Sequence, residues 1–106
     1  MIPNKPNLFV VGSMKSETTN LHNYLDEHPE IFMTQDPWKE TQYFIQNSDI
    51  EKQNWYLSLF KSANKAKYRG ESSTDYTKYP LYKDIPNRIY SFNPNSYIII
   101  CNERPY

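Results

Sequence analysis

Apolar residues in this chain fall into short unbroken runs, and the longer stretches between them carry helical spacing. Asn7 leads into Leu8-Phe9-Val10-Val11, a run closed by Gly12 and preceded by a proline-containing leader. A segment apolar at every position predicts a strand buried on both faces, as in a parallel sheet. Ser13 to Glu17 reads as a polar loop. From Thr18 onward, Leu21, Tyr24 and Leu25 recur at three and four, which predicts a helix that Ser16 or Thr18 can cap. That helix should stop near His28-Pro29, because a residue before proline avoids the helical region. Ile31-Phe32-Met33 predicts a second strand, and Thr34 to Lys39 a loop. Glu40 to Phe44 fits no single period. Asp49 can cap a second helix, with Trp55, Tyr56, Leu59 and Phe60 as its apolar stripe. Ser62 to Lys67 is a polar connection. Tyr68 to Glu71 predicts a strand interrupted at Gly70, and Ser72 to Tyr79 a loop rich in hydroxyls. Pro80 opens a third helical segment carrying Leu81, Ile85, Ile89 and Tyr90. Pro86 inside it leaves open a split into two short turns. Asn93-Pro94-Asn95 is a turn, and Tyr97 to Cys101 is the strongest strand of the chain.

Strands alternating with helices predict an α/β fold, a P-loop-like parallel sheet with flanking helices. After Tyr97-Cys101 the sequence runs only through Asn102-Glu103-Arg104-Pro105-Tyr106. A doubly wound sheet should return a helix across such a strand. The expectation is therefore that residues 1–106 are the N-terminal portion of a single domain, truncated after that strand.

Composition narrows the function. The 106 residues carry 12 Lys plus Arg and 12 Asp plus Glu, a formal charge of zero. A general nucleic-acid binder needs a basic face, so no nucleic-acid partner is expected. One cysteine, Cys101, excludes an internal disulfide framework and a multi-thiolate zinc site, and no metal is expected. The longest apolar runs are strand-length, far below the roughly 20 residues of a membrane span. The N-terminus lacks the order of a signal peptide, so a cytoplasmic location is expected. Glycine occurs only twice, at Gly12 and Gly70, which marks each as a special backbone position. Ten tyrosines can build a core with polar rims.

The candidate chemistry lies in the turn after the first strand. A helix start there offers unpaired N–H groups and a partial positive charge. Lys15 adds a full charge, and Ser16, Thr18 and Thr19 add hydroxyls. The order differs from the Walker loop GxxxxGK[ST], because a single glycine precedes the lysine by three residues. A kinase-like phosphotransferase is thereby disfavoured. A capped helix with a surface lysine is the plain alternative.

Pro6-Asn7-Leu8-Phe9-Val10-Val11-Gly12-Ser13-Met14-Lys15-Ser16-Glu17-Thr18-Thr19-Asn20-Leu21 resembles the opening of sulfotransferases that use 3′-phosphoadenylyl sulfate (PAPS), whose phosphosulfate loop reads K-S-G-T-T-x-L. His28 to Met33 continues the similarity. Lys39-Glu40-Thr41-Gln42-Tyr43-Phe44 is similar to the family's K-E-x-x-[FY]-F, and Gly70-Glu71-Ser72-Ser73-Thr74-Asp75-Tyr76 to its G-E-[KA]-[ST]-P-x-Y. The run from Pro80 through Asn93-Pro94-Asn95 to Cys101 follows in the same order. The resemblance is to the heparan-sulfate-like and bacterial members.

The resemblance implies a nucleotide sulfate donor, PAPS, and a hydroxyl acceptor, by subgroup a saccharide. It implies that Lys15 contacts the 5′-phosphate and the bridging oxygen, where charge grows in a loose in-line transition state. Ser16, Glu17, Thr18 and Thr19 would form the phosphate loop around it. Glu40 matches the catalytic base, which takes the acceptor proton. Glu71 matches a structural carboxylate. Trp38 and Tyr76 are candidates for the acceptor groove or for packing.

Three departures stand out. Glu17 replaces the loop glycine, and a carboxylate about 5 Å from phosphate costs roughly 3 kcal/mol at an effective dielectric near 20. Alignment on Pro105 puts Glu103 where the family's 3′-phosphate arginine stands, so Arg104 would substitute from one residue away. Ser72-Ser73-Thr74 lacks the common lysine and proline. An inactive remnant that keeps an anion-binding module is the alternative to an active transferase.

Overall fold

The computed structural model describes residues 5–12, 15–35, 37–45, 49–63, 65–73, 76 and 84–101, without the side chains of 15–17 and 101. Among these residues, four strands form one parallel sheet. Strand β1 (Leu8–Gly12) is followed by helix α1 (Lys15–Asp26) and strand β2 (Ile31–Met33). A 3-10 turn (Tyr43–Ile45), helix α2 (Ile50–Ser58), strand β3 (Tyr68–Ser72), helix α3 (Ile85–Phe92) and strand β4 (Tyr97–Cys101) complete the order. The sheet runs β2-β3-β1-β4. β1 pairs β3 with Leu8 opposite Gly70, and pairs β4 with Leu8 opposite Tyr97.

β1 is buried along its whole length because both faces are covered. Phe9 and Val11 face a layer containing Tyr43, Phe44, Tyr56, Phe60, Ile85 and Ile89. Leu8 and Val10 face the other way, with Met33, against Leu21 and Leu25 of α1. The period-two alternation of a strand thus feeds two separate cores. Helix α1 covers one face; the aromatic turn, α2 and α3 cover the opposite one. Tyrosines supply much of the second layer. The Tyr43 ring stacks on Tyr56 at 4.1 Å, and Phe44 meets Phe9 edge-on at 5.6 Å.

Several expectations need correction. The stretch Ser13–Glu17 is not all loop, since α1 already begins at Lys15. The inward stripe of α1 is Thr18, Leu21, His22 and Leu25, spaced three, one and three, with Thr18 and His22 buried and the two leucines half-buried, while Tyr24 is 71% exposed. A polar residue, His22, therefore holds the place assigned to Tyr24. β3 is continuous through Gly70 and extends to Ser72. No glycine has positive φ, so Gly70 serves by its size. A Cβ there would lie 2.6 Å from the Leu8 carbonyl oxygen and 3.0 Å from Met33 Sδ. Pro86 does not split α3, because it sits in the first turn where no N–H donor is required. Pro80 to Lys83 lie outside the described residues.

Three further expectations, the Asp49 cap, the Asn93 turn and the last strand, hold for local reasons, whereas α2 ends at Ser58, short of Leu59 and Phe60, and Tyr90 of α3 is exposed. Asp49 caps α2 by accepting from the Lys52 N–H at 2.8 Å. The Asn93 side chain accepts from the Asn95 N–H at 3.0 Å and donates to the Pro6 carbonyl at 2.9 Å, which fixes the turn into β4. β4 is a strand, but half-buried, with Tyr97 and Ile100 each 58% exposed.

Candidate active site

The strands all point the same way, so their carboxyl ends share one edge. β1 sends its chain through α1 on one face, and its neighbour β3 sends its chain toward α3 on the other. Ligands of open α/β sheets bind in the crevice above such a divergence. Three segments reach it: the start of α1, the stretch Lys39–Ile45, and Ser72-Ser73 at the end of β3.

Hydrogen bonds fasten the middle segment on both sides of Glu40. The Lys39 carbonyl accepts from the Ser72 N–H at 3.0 Å and from the Thr34 hydroxyl at 3.3 Å. Beyond Glu40, three successive backbone N–H groups end on hydroxyls. Gln42 N–H donates to Ser73 Oγ at 3.2 Å, Tyr43 N–H to Thr41 Oγ1 at 3.2 Å, and Phe44 N–H to the Tyr76 hydroxyl at 3.1 Å. Each hydroxyl then donates to one carboxylate, Glu71. The Thr41 and Ser73 hydroxyls reach Glu71 Oε1 at 2.6 and 2.7 Å, and the Tyr76 hydroxyl lies 3.3 Å from both oxygens. Tyr56, from α2, donates to Glu71 Oε2. Gln42 adopts φ 55°, a left-handed conformation that costs a non-glycine residue about 1–2 kcal/mol. The three N–H anchors hold it there.

Glu71 is fully buried. Burial pushes its carboxyl up from the ordinary range, and the hydroxyls of Thr41, Tyr56, Ser73 and Tyr76 pull it partway back. Burial first, and the Glu71 charge second, hold the Tyr56 and Tyr76 phenols well above their usual value, so both stay hydroxyl donors. Among the described residues no buried side-chain polar atom lacks a partner.

Helix α1 is tied to this assembly by His22, which is 1% exposed. Its Nε2 lies 2.7 Å from the Thr34 carbonyl oxygen, and its Nδ1 lies 2.6 Å from Ser72 Oγ. A carbonyl only accepts, so Nε2 carries the proton and Nδ1 accepts from Ser72. One imidazole thereby joins α1, the end of β3 and the residue after β2.

The candidate site residues are distributed as follows. Lys15, Ser16 and Glu17 occupy the first turn of α1, with their side chains outside the described residues. Thr18 is buried on the helix, and Thr19 is half-buried. Glu40 is half-buried between the two fastened residues. Arg104 lies outside the described residues. Trp38 is 42% exposed and meets Trp55 edge-on at 5.0 Å. Tyr76 is packed against Phe44 rather than lining a groove. Sequence reasoning missed His22, Thr41, Ser73 and Tyr56. The signal for His22 was its place in the three-and-four spacing with Thr18, Leu21 and Leu25. Among the described residues no three His, Cys, Asp or Glu side chains gather as a metal site.

Comparison with known proteins agrees with this architecture. No family model matches the chain. By sequence it is 32% identical over 108 residues to the membrane-associated sulfotransferase kil1 of Dictyostelium discoideum, covering 94% of this chain and 21% of that protein. By structure it matches a crystallised sulfotransferase from Alicyclobacillus acidocaldarius with a TM-score of 0.72 and 28% identity, over 90% of this chain and 43% of that one. Both likenesses, by sequence and by fold, are to sulfotransferases, and they support a stretch of sulfotransferase domain. The chain spans about a fifth of the curated relative's length. Among the described residues no helix is long and apolar enough to cross a membrane.

Proposed function

We propose that this chain supplies the donor-binding edge and the base of a sulfotransferase that moves a sulfuryl group from PAPS to a hydroxyl, on a saccharide acceptor. One observation carries the reading. The Lys15-bearing start of α1 and the Glu40-bearing segment both belong to the carboxyl edge of β1 and β3, and His22 ties α1 to the frame that holds Glu40. The N–H groups of the first turn of α1, with Ser16, Thr18 and Thr19, would hold the 5′-phosphate. Arg104 would reach the 3′-phosphate.

The chemistry assigns each residue a task. Glu40 takes the acceptor hydroxyl proton as the new oxygen–sulfur bond forms. The bond from sulfur to the phosphate oxygen breaks, and its electron pair stays on adenosine 3′,5′-bisphosphate. Lys15 offsets the charge that grows on that oxygen, an interaction stronger in the transition state than in the ground state. The reaction needs no metal. We assign the chain to the cytoplasm, although the Dictyostelium relative is named as membrane-associated; cell fractionation decides between the two.

Isothermal titration with adenosine 3′,5′-bisphosphate, set against ATP–magnesium, tests the donor site. The bisphosphate should bind and ATP–magnesium should not, and Lys15→Ala should weaken binding at least tenfold. Glu40→Gln should lower transfer from PAPS by about 10²–10⁴-fold with donor binding nearly intact. Loss of both would give Glu40 a structural role instead. Glu17, in the first turn of α1, favours a second reading, an anion-binding module without transfer. Bisphosphate binding with no turnover for any hydroxyl acceptor would select it. Absence of binding by either nucleotide overturns both.

A further inference from the structure

We propose that Glu71, acting through the hydroxyls of Thr41, Ser73 and Tyr76, is the positioning device for Glu40. The proposal rests on the reading of Glu40 as the base. Glu71 does not face the crevice, being fully buried. Its oxygens accept from hydroxyls that themselves accept from the N–H groups of Gln42, Tyr43 and Phe44. A carboxylate is an acceptor only, with about four lone-pair sites, so it orients each hydroxyl hydrogen toward itself. The hydroxyl lone pairs are then turned toward the backbone. A carbon chain of the same shape could not impose that direction.

The consequence falls on the residue just before this array. On the other side of Glu40, the Lys39 carbonyl is held by Ser72 N–H and the Thr34 hydroxyl. Glu40 is thus strung between two fixed points, and the left-handed turn at Gln42 directs the chain away immediately after it. A general base must stay within hydrogen-bond reach of the proton it removes, so an ångström of slack at residues 41–44 reaches the chemistry. Glu71 itself touches no reacting atom.

Tyr76 and Tyr56 allow a clean test, since both hydroxyls donate to Glu71 but only that of Tyr76 also accepts from a backbone N–H after Glu40; the Tyr56 ring packs on Tyr43, and phenylalanine keeps that contact. Tyr76→Phe and Tyr56→Phe each delete one buried hydroxyl and keep the ring. Amide hydrogen exchange at Phe44 and the Glu40 backbone carbon shifts are read on the full chain, beside PAPS turnover with an oligosaccharide acceptor. Tyr76→Phe should speed Phe44 exchange about tenfold, the equivalent of one ordinary hydrogen bond. It should also displace the Glu40 shifts and lower kcat about tenfold with the PAPS KM unchanged. Tyr56→Phe should leave exchange at Phe44 and the Glu40 shifts as they are, whatever it does to melting temperature. Glu71→Gln, which keeps an acceptor oxygen for Thr41 and Ser73, should retain more of kcat than Glu71→Ala.

The outcomes separate this proposal from the functional reading beneath it. An active wild type whose Tyr76→Phe variant keeps its exchange rate, shifts and kcat refutes the positioning role alone. Equal responses in Tyr76→Phe and Tyr56→Phe refute it too, because general destabilisation then explains them. An inactive wild type in which only Tyr76→Phe moves the Glu40 shifts and Phe44 exchange refutes the transferase reading and leaves the positioning of Glu40 supported.

Discussion

Gly70→Ala should destabilise the whole domain, and the geometry sets the size. Gly70 lies in the interior strand β3, between β2 and β1, so its neighbours on both sides are strands. The added Cβ would meet the Leu8 carbonyl oxygen at 2.6 Å, Leu8 Cβ at 3.0 Å and Met33 Sδ at 3.0 Å. A comfortable carbon–oxygen approach is about 3.3 Å or more. Relief therefore needs roughly 0.7 Å of movement between strands whose spacing is set near 4.8 Å by their hydrogen bonds. The methionine sulfur can move, but the carbonyl cannot without disturbing the β1–β3 ladder. Overpacking of this kind costs about 1–3 kcal/mol, and the backbone clash argues for the upper end. Alanine restores about 0.4–1 kcal/mol through the unfolded chain. The net is about 2 kcal/mol, against a total stability of about 5–15 kcal/mol for a domain. Thermal unfolding followed by far-ultraviolet circular dichroism should show a Tm lowered by roughly 8–16 °C. A Tm within about 2 °C of wild type would show that β1 and β3 are not in this register, and the crevice built on that register would go with it.

Other outcomes follow from the same contacts. Asp49→Ala removes the α2 cap and should cost about 1 kcal/mol in urea unfolding, with Asp49→Asn largely restoring it. Glu71 holds its proton more tightly folded than unfolded, so its contribution to stability is present below about pH 4.3 and is lost as pH rises through its folded value. The wild-type stability minus that of Glu71→Gln should therefore fall as pH rises above 4 and then level off; a difference that grows with pH would contradict the burial argument. His22→Phe leaves the Ser72 hydroxyl and the Thr34 carbonyl unpaired and should cost about 1–3 kcal/mol for each group. Its urea midpoint checks this, and an unchanged midpoint would mean that water replaces the imidazole.

Much of the fold was written locally. The apolar run at Leu8–Val11 announced a strand covered on both faces, and Asp49 and Asn93 announced the helix start and turn that they make. Those signals depend on neighbours within a few residues, so a linear reading captures them. The resemblance pointed to Lys15 and Glu40 in the same way, by short motifs in order. Burial of Glu71 was not legible. The resemblance marked Glu71 as a structural carboxylate, but nothing in Gly70-Glu71-Ser72 names its donors, which are Thr41, Tyr56, Ser73 and Tyr76 and come from 2 to 30 residues away.

His22 is the sharper case. Its position in the stripe of α1 was visible, but tyrosine at position 24 is the more apolar choice, and hydropathy favours it. Only the fold shows that the helix face meets Ser72 Oγ and the Thr34 carbonyl, two polar groups that need a partner with both a donor and an acceptor. Periodicity counts apolar positions; it cannot see the hydrogen-bonding demand of a distant strand end. The sequence alone determined where strands and helices form, because that depends on local spacing. The tertiary structure decided which polar residues go inside, because a buried polar group is tolerated only where the rest of the chain brings its partners.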